Sequence, residues 1–522
     1  MDEPYRNPYV PAPPKPPAPP LRFFWRDWVT LALAVGLSLL FFELFGVTHI
    51  LESGVPALGI TLFVWALFAA VFFRLGRRAF ENRAGLCLSA AVLAVALSFT
   101  LHGRYTDLTI GNCFLVLGLG ALAIFQLSGL AQSSWRQVGV LWETIALSFI
   151  ALFSHPAKPF RALGALWGHE KRAIGGVLIG LAVAVPLLGI AIPLLQSADT
   201  VFAGLVHDAF FWFEEINAWE IFWRVLRTLA LGLLLFSALF ALNQPQELPP
   251  IAGARPAKSS EFAATIPTLI TVLALLNVVY FVFVAVQFAF LFGGAAHAAM
   301  KGGWAEYARS GFFQLVAVAA LNLAVVLTTS CFLERAGQAR PVGKRTLQAL
   351  AALLLLLTGV ILFSALRRMG LYIGVYGLSL LRVLTLFGMA FIAICLAAAF
   401  LKLLRPGRCF FPVFLAAGVG LWVLFSFFNT SALIANYNVD AYLDGRVAQI
   451  DTGYLMNLGP ESLPALRRLN AADPASFTGS SLAAYEVRLH REQECVTWRE
   501  WTLSDVRNRV VTPEPRPESG AK

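Results

Sequence analysis

The chain has 522 residues, of which 58% are apolar and 13% charged. Soluble domains carry roughly 25% charged residues, so this composition excludes an ordinary water-soluble globule and points to a bilayer as solvent. The formal charge of +10 is not a nucleic-acid signature, because Lys and Arg fall in short stretches between apolar segments and no groove-reading motif accompanies them.

Residues 1–22 hold the run Pro11-Ala12-Pro13-Pro14-Lys15-Pro16-Pro17-Ala18-Pro19-Pro20, which favours an extended polyproline conformation. This leader reads as a disordered spacer or a docking segment for a protein partner. No small-residue cleavage site follows the first apolar stretch, so that stretch is expected to be retained as a membrane helix. Twelve apolar segments come next: 29–47, 55–73, 84–101, 109–130, 138–153, 173–195, 221–242, 265–292, 311–333, 346–366, 373–401 and 410–428. A membrane helix needs about 20 apolar residues. The fifth segment has only 16 residues and carries Glu143, which makes it the weakest candidate.

Loop charges arbitrate the count. Twelve crossings would divide the loop Lys and Arg 13 to 14 between the two faces. If the fifth segment dips or lies flat, 22 of them gather on one face, and only Arg104, Lys301, Arg309, Arg367 and Arg368 remain on the other. The positive-inside rule selects the second arrangement: eleven crossings, N-terminus inside, C-terminus outside. Residues 154–172 then mix Lys158, Arg161, Lys171 and Arg172 with Phe160, Leu163, Leu166 and Trp167 on the inner face, a pattern that suits either an interfacial amphipathic helix on membrane lipid or an ordinary basic loop. Residues 196–220 form an acidic outer loop without Lys or Arg. After Phe428 the composition turns polar. The chain is thus expected to be all-α: a disordered leader 1–22, a polytopic transmembrane helical bundle 23–428, and a small helical C-terminal appendage 429–522 on the outer face, a second candidate for binding a protein partner.

Ionisable groups at membrane depth are costly and mark candidate sites. Arg382 stands about ten residues into the 29-residue run 373–401, where it either ties to backbone carbonyls or a carboxylate, or meets an anion or lipid phosphate through its guanidinium. Glu43 ends the first segment. Glu220, four residues before Arg224, forms a helical ion-pair spacing, and Arg224 and Arg227 suit interfacial snorkelling. Asp199 opens the acidic outer loop with Asp208. His49, His102, His207 and His297 all map to the outer boundary but lack ligand spacing, so they are weak metal candidates and no cofactor is expected. Asn277, Gln287, Gln314 and Asn322 are expected to bond helix to helix. The six cysteines form no C-x-x-C pair and read as small hydrophobes. Gly337 to Lys344 fails as a phosphate loop by one residue of spacing and by Arg345, and no H-E-x-x-H or G-x-S-x-G occurs, so no catalytic motif is found.

Several short motifs stand in order along the chain: Ser197-Ala198-Asp199-x-x-Phe202, Gly311-Phe312-Phe313-Gln314-Leu315-Val316, Tyr376-Gly377-Leu378-Ser379-x-x-Arg382, Ala432-Leu433-Ile434-Ala435-Asn436-Tyr437-Asn438, Asp451-x-x-Tyr454-Leu455-x-x-Leu458-Gly459-Pro460 and Trp498-Arg499-x-Trp501. Across roughly residues 110–505 the chain resembles the bacterial DUF4173/DUF4153 group of multi-pass membrane proteins. The resemblance implies a bacterial cytoplasmic-membrane location and carries no activity with it. Gln314 departs from the Glu common at that place. Three function classes stay open: a transporter or lipid translocator, a non-catalytic envelope sensor or scaffold, and a membrane enzyme on a lipid-linked substrate that would use Asp199 and Asp208.

Overall fold

The computed structural model describes residues 23–45, 56–102, 109–131, 137–166, 172–199, 204, 218–244, 266–292, 312–335, 343–405, 407–477 and 482–510, with the backbone alone for most of residues 164–189 and a few helix ends. The leader, His49, His207, His297, Asp208 and most of the acidic loop lie outside the described residues, and of His102 only the backbone is described.

Every regular element described is helical. The apolar stretches become α1 (Trp25–Phe45), α2 (Ala57–Leu75), α3 (Arg83–His102), α4 (Thr109–Ser128), α5 (Gly139–Ser154), α6 (Lys158–Leu166), α7 (Arg172–Ala198) and α8 (Ala218–Ala241). They continue as α9 (Ile266–Phe292), α10 (Phe312–Arg335), α11 (Lys344–Tyr376), α12 (Leu380–Leu404) and α13 (Phe411–Phe427). In hydrocarbon each backbone N–H and C=O needs a partner within its own segment, which makes a long apolar run helical. Among the described residues ten helices are long and apolar enough to cross a membrane, or eleven if α13 and the helix after it count as one bent span. The chain is therefore an all-α polytopic membrane protein. One of these ten candidates runs Gly139–Leu163, joining α5 to the start of α6.

The chain divides into two compact units, one of residues 1–39 and 151–241, the other of residues 40–150 and 242–522. In the first, the Ser237 hydroxyl donates to the Ala151 carbonyl (2.7 Å) and accepts from the His155 N–H (2.8 Å). Phe23 stacks on Phe236 and Phe240, and the Lys158 ammonium lies 4.5 Å from the Phe240 ring centre. A helix forms over Lys158–Leu166, within the stretch that suited either an amphipathic helix or a basic loop, and leaves Phe160 and Leu163 exposed.

In the second unit, α2, α3 and α4 pack around Phe68, Val92, Phe99 and Leu122, joined by Phe411 at the start of α13. A larger core runs through α9–α12 and on into the C-terminal residues. Asn277 donates from α9 to the Leu350 carbonyl of α11 (3.0 Å), and Asn322 of α10 donates to Thr358 Oγ1 of α11 (2.9 Å), so both polar groups join helix to helix. Gln314 is exposed, and the side chain of Gln287 lies outside the described residues.

The structure corrects the reading of 346–401. Hydropathy places a loop at Arg367-Arg368, yet α11 continues through both for 33 residues, and Arg368 is buried. At about 1.5 Å per residue this helix is about 50 Å long against a hydrocarbon thickness of about 30 Å, so one end must leave the membrane. The break falls instead at Gly377-Leu378-Ser379.

After α13 the chain bends by 66° into α14 (Thr430–Leu443), capped by the Asn429 side chain. Then come α15 (Thr452–Asn457), α16 (Leu463–Ala472), α17 (Leu482–Glu494) and α18 (Leu503–Arg507). Leu455, Leu463, Leu466, Leu469 and Tyr485 of this segment share one core with Ile373 of α11 and Val383 of α12.

Candidate functional site

The motifs that stood apart in the sequence meet where α11 gives way to α12. Gly377 ends α11 at φ +74, ψ −169, a backbone region that only glycine enters readily, and its Cα faces the Asn438 side chain so closely that a Cβ would collide with it. Asn438 reaches across from α14. Its Oδ1 accepts from the Leu378 N–H (2.6 Å), and its Nδ2 donates to the Leu378 carbonyl (2.9 Å). One side-chain amide thus takes the place of a paired strand and satisfies both polar groups of a residue that no helix serves. Tyr454 does the same for the start of α12: its hydroxyl accepts from the Leu380 N–H (3.0 Å). Asp451 fixes Tyr454 in turn, capping α15 by accepting from the Tyr454 N–H (2.8 Å).

Arg382 belongs to this junction, and its position corrects the expectation drawn from the sequence. It stands in the first turn of α12, next to the break, rather than ten residues deep in one continuous span. Its guanidinium donates to the Tyr376 carbonyl (3.0 Å) and to the Gly377 carbonyl, and lies 4.3 Å from the Tyr372 ring centre. Those carbonyls are among the last of α11, which have no partner within the helix, and the negative end of the helix dipole favours a cation there. The tie to backbone carbonyls that the sequence allowed is thus present.

These residues line a cavity of about 830 Å³ formed by Val375–Ser379, Arg382, Asn438 and residues 447–454. Gln449, Asp451, Thr452 and Tyr454 add polar groups, so the lining offers one guanidinium and one carboxylate together with amide and hydroxyl partners. That combination is chemically complementary to a zwitterionic or hydroxyl-rich solute more than to a simple anion.

The other sequence candidates lie apart from it. Glu43, in the last turn of α1, forms an ion pair with Arg499, whose carbonyl also accepts from the Gly59 N–H (3.0 Å). Glu220 and Arg224 pair at 3.1 Å with both side chains exposed, beside a cluster of Trp219, Phe222 and Trp223 that fits a membrane-boundary aromatic belt. Arg227 is exposed on the same helix. Glu143 is buried on α5, and Asp199 is exposed just past α7. Among the described residues no three His, Cys, Asp or Glu side chains gather as a metal would require. Asn438 and Tyr454 were not among the sequence candidates, although both stand in the recognised motifs; neutral polar groups 60 and 74 residues from their partners carry no signal of their own.

An all-helical, polytopic membrane bundle with a C-terminal segment joined to its core is the class of protein this architecture defines. The chain matches the family described as Domain of unknown function (DUF4153) over residues 88–469, and it belongs to that family. No curated protein and no solved structure matches it.

Proposed function

We propose that this is a membrane-anchored binding protein of the bacterial envelope, a sensor or scaffold that takes a polar solute in the cavity beside Arg382. The observation that carries this reading is convergence: residues 376–379, 382, 438 and 451–454, separate in sequence, line one polar cavity where α11 ends. Transport is the second reading. It is favoured by the number of apolar helices, but Asn277 and Asn322 direct their amide donors to neighbouring helices, and Arg382 is tied to carbonyls at a helix end.

The proposal includes a topology with the cavity outside and the leader inside. Support comes from the loop charges: with the fifth segment not crossing, 22 of the loop Lys and Arg gather on one face and five on the other. An odd number of crossings puts the two ends of the chain on opposite faces. The weak fifth segment accounts for the parity. On this reading α5 dips without crossing, and α1–α4 with α7–α13 make the eleven crossings. The side carrying Arg74, Arg77, Arg78 and Arg83 is the cytoplasmic one.

The test is a thermal-shift screen of the full chain in lipid nanodiscs against amino acids and small oligosaccharides. The reading expects a stabilising solute whose effect disappears in Asp451→Asn and survives in Glu220→Gln. Stabilisation indifferent to Asp451→Asn would remove the cavity as the site, and uptake of the same solute by proteoliposomes would establish transport instead.

A further inference from the structure

A second and larger cavity, about 1190 Å³, lies between α3, the end of α4 and α13. It is larger than the roughly 300–1,000 Å³ of most small-molecule pockets. Its two ends differ in chemistry. The head holds Arg78, Glu81, Arg83, Asn82 and Gln126. The trough runs along Cys87, Ala91 and Ala94 of α3 and Ala416, Gly420 and Val423 of α13, where small side chains keep the space between the helices open. From Arg83 to Ala94 the trough follows α3 for about 17 Å at about 1.5 Å per residue, close to the depth of one leaflet's hydrocarbon, about 15 Å.

The head is built for an anion. Arg78 and Arg83 are exposed, and among the described residues neither side chain has an ion-pair partner, while Glu81 is the single carboxylate of the lining. Asn82 caps α3 by accepting from the Ala84 and Gly85 N–H groups (3.1 and 3.2 Å), which fixes the positive end of that 20-residue helix beside Arg83. Gln126 supplies an independent observation. It is only 5% exposed, its carbonyl accepts from Asn82 Nδ2 (2.7 Å), and its own amide nitrogen has no acceptor among the described residues. That nitrogen is itself buried, and a buried donor left unmade costs about 1–3 kcal/mol, so a turn of the side chain that brings it to a ligand oxygen in the groove is favoured.

We propose that this groove is a binding site for an anionic phospholipid of the leaflet on the Arg78 side. The phosphate lies against Arg78, Arg83 and the start of α3, a glycerol-ester oxygen accepts from the Gln126 amide, and one acyl chain fills the alanine-lined trough. Charge complementarity at the head, a trough one leaflet deep and an orphan donor at their junction select this occupant over a soluble metabolite. The site is independent of the cavity beside Arg382.

Cys87 is exposed in the trough and serves as the reporter. In full-length protein with the other five cysteines changed to Ala, maleimide labelling of Cys87 is timed with dioctanoyl phosphatidylglycerol, dioctanoyl phosphatidylcholine or inorganic phosphate. Phosphatidylglycerol at ten times its dissociation constant slows labelling about tenfold, and the other two do not slow it appreciably. The double variant Arg78→Gln/Arg83→Gln, altered only at exposed positions, abolishes that protection, read as the ratio of its own labelling rates with and without lipid. Equal protection by both lipids, protection surviving in the double variant, protection by phosphate alone, or no protection by any of them overturns the proposal. Native mass spectrometry of the unaltered protein, released from membranes of both lipids, checks the result without cysteine changes: it retains one phosphatidylglycerol, and retention of none or of equal amounts of both lipids also refutes it.

Discussion

Gly377→Ala separates backbone strain from side-chain bonding at the junction. Alanine in the conformation of Gly377 costs about 1–3 kcal/mol by itself. Its Cβ would also drive Asn438 away from Leu378, removing two hydrogen bonds worth about 0.5–1.5 kcal/mol each. The single substitution is therefore expected to loosen the junction by about 2–6 kcal/mol. Asn438→Ala removes the same two bonds without the strain, about 1–3 kcal/mol. The two losses share a cause, so Gly377→Ala/Asn438→Ala should cost less than the sum of the singles by about 1–3 kcal/mol, a coupling well above the scatter expected for independent sites. The readout is hydrogen exchange at the Leu380 amide, whose acceptor is the Tyr454 hydroxyl, in the full chain in detergent. Additive singles, or a Gly377→Ala effect below about 0.5 kcal/mol, would refute the claim that Gly377 and Asn438 act as one unit.

Tyr454→Phe removes the acceptor of the Leu380 N–H and should speed exchange at that amide by the equivalent of about 1–2 kcal/mol, leaving α9 and α10 unaffected. Burial holds the Tyr485 hydroxyl above its ordinary pKa, and it donates to the Gly459 carbonyl (2.8 Å). A folded-state pKa raised above the unfolded value gives stability that is complete below about pH 10 and is lost as pH rises through the folded value. Alkaline titration of the tail by near-ultraviolet absorbance should show that loss, and Tyr485→Phe should weaken it while lowering stability at neutral pH. Glu43→Cys with Arg499→Cys, in a background without other cysteines, should cross-link with a short bis-maleimide; no cross-link would separate the C-terminal segment from the end of α1.

Helix positions were legible because apolar runs near 20 residues leave the backbone few alternatives in lipid. The same signal misplaced the end of α11. Two adjacent arginines imitate a loop in hydropathy, but packing against the C-terminal segment carries the helix past them, and the true break hides in an apolar stretch at Gly377. Arg382 looked deep in a span only because that break was unseen. Asn438 and Tyr454 were readable as motif members but not as partners of Leu378 and Leu380. The groove was not readable at all: it depends on α3 and α13 being neighbours across more than 300 residues of chain. Asn277 and Asn322 could be assigned in advance, since a neutral amide in hydrocarbon has few options besides the next helix.

The two exposed thiols Cys495 and Cys409 report on the topology, one in the C-terminal segment and one just before α13. Each is kept as the single cysteine of a full-length variant and treated in intact cells with a membrane-impermeant maleimide. Eleven crossings predict labelling of Cys495 in intact cells, and labelling of Cys409 only after the membrane is permeabilised. Labelling of Cys409 with protection of Cys495, or identical behaviour of the two, would contradict the eleven-crossing topology and with it an outward-facing cavity at Arg382.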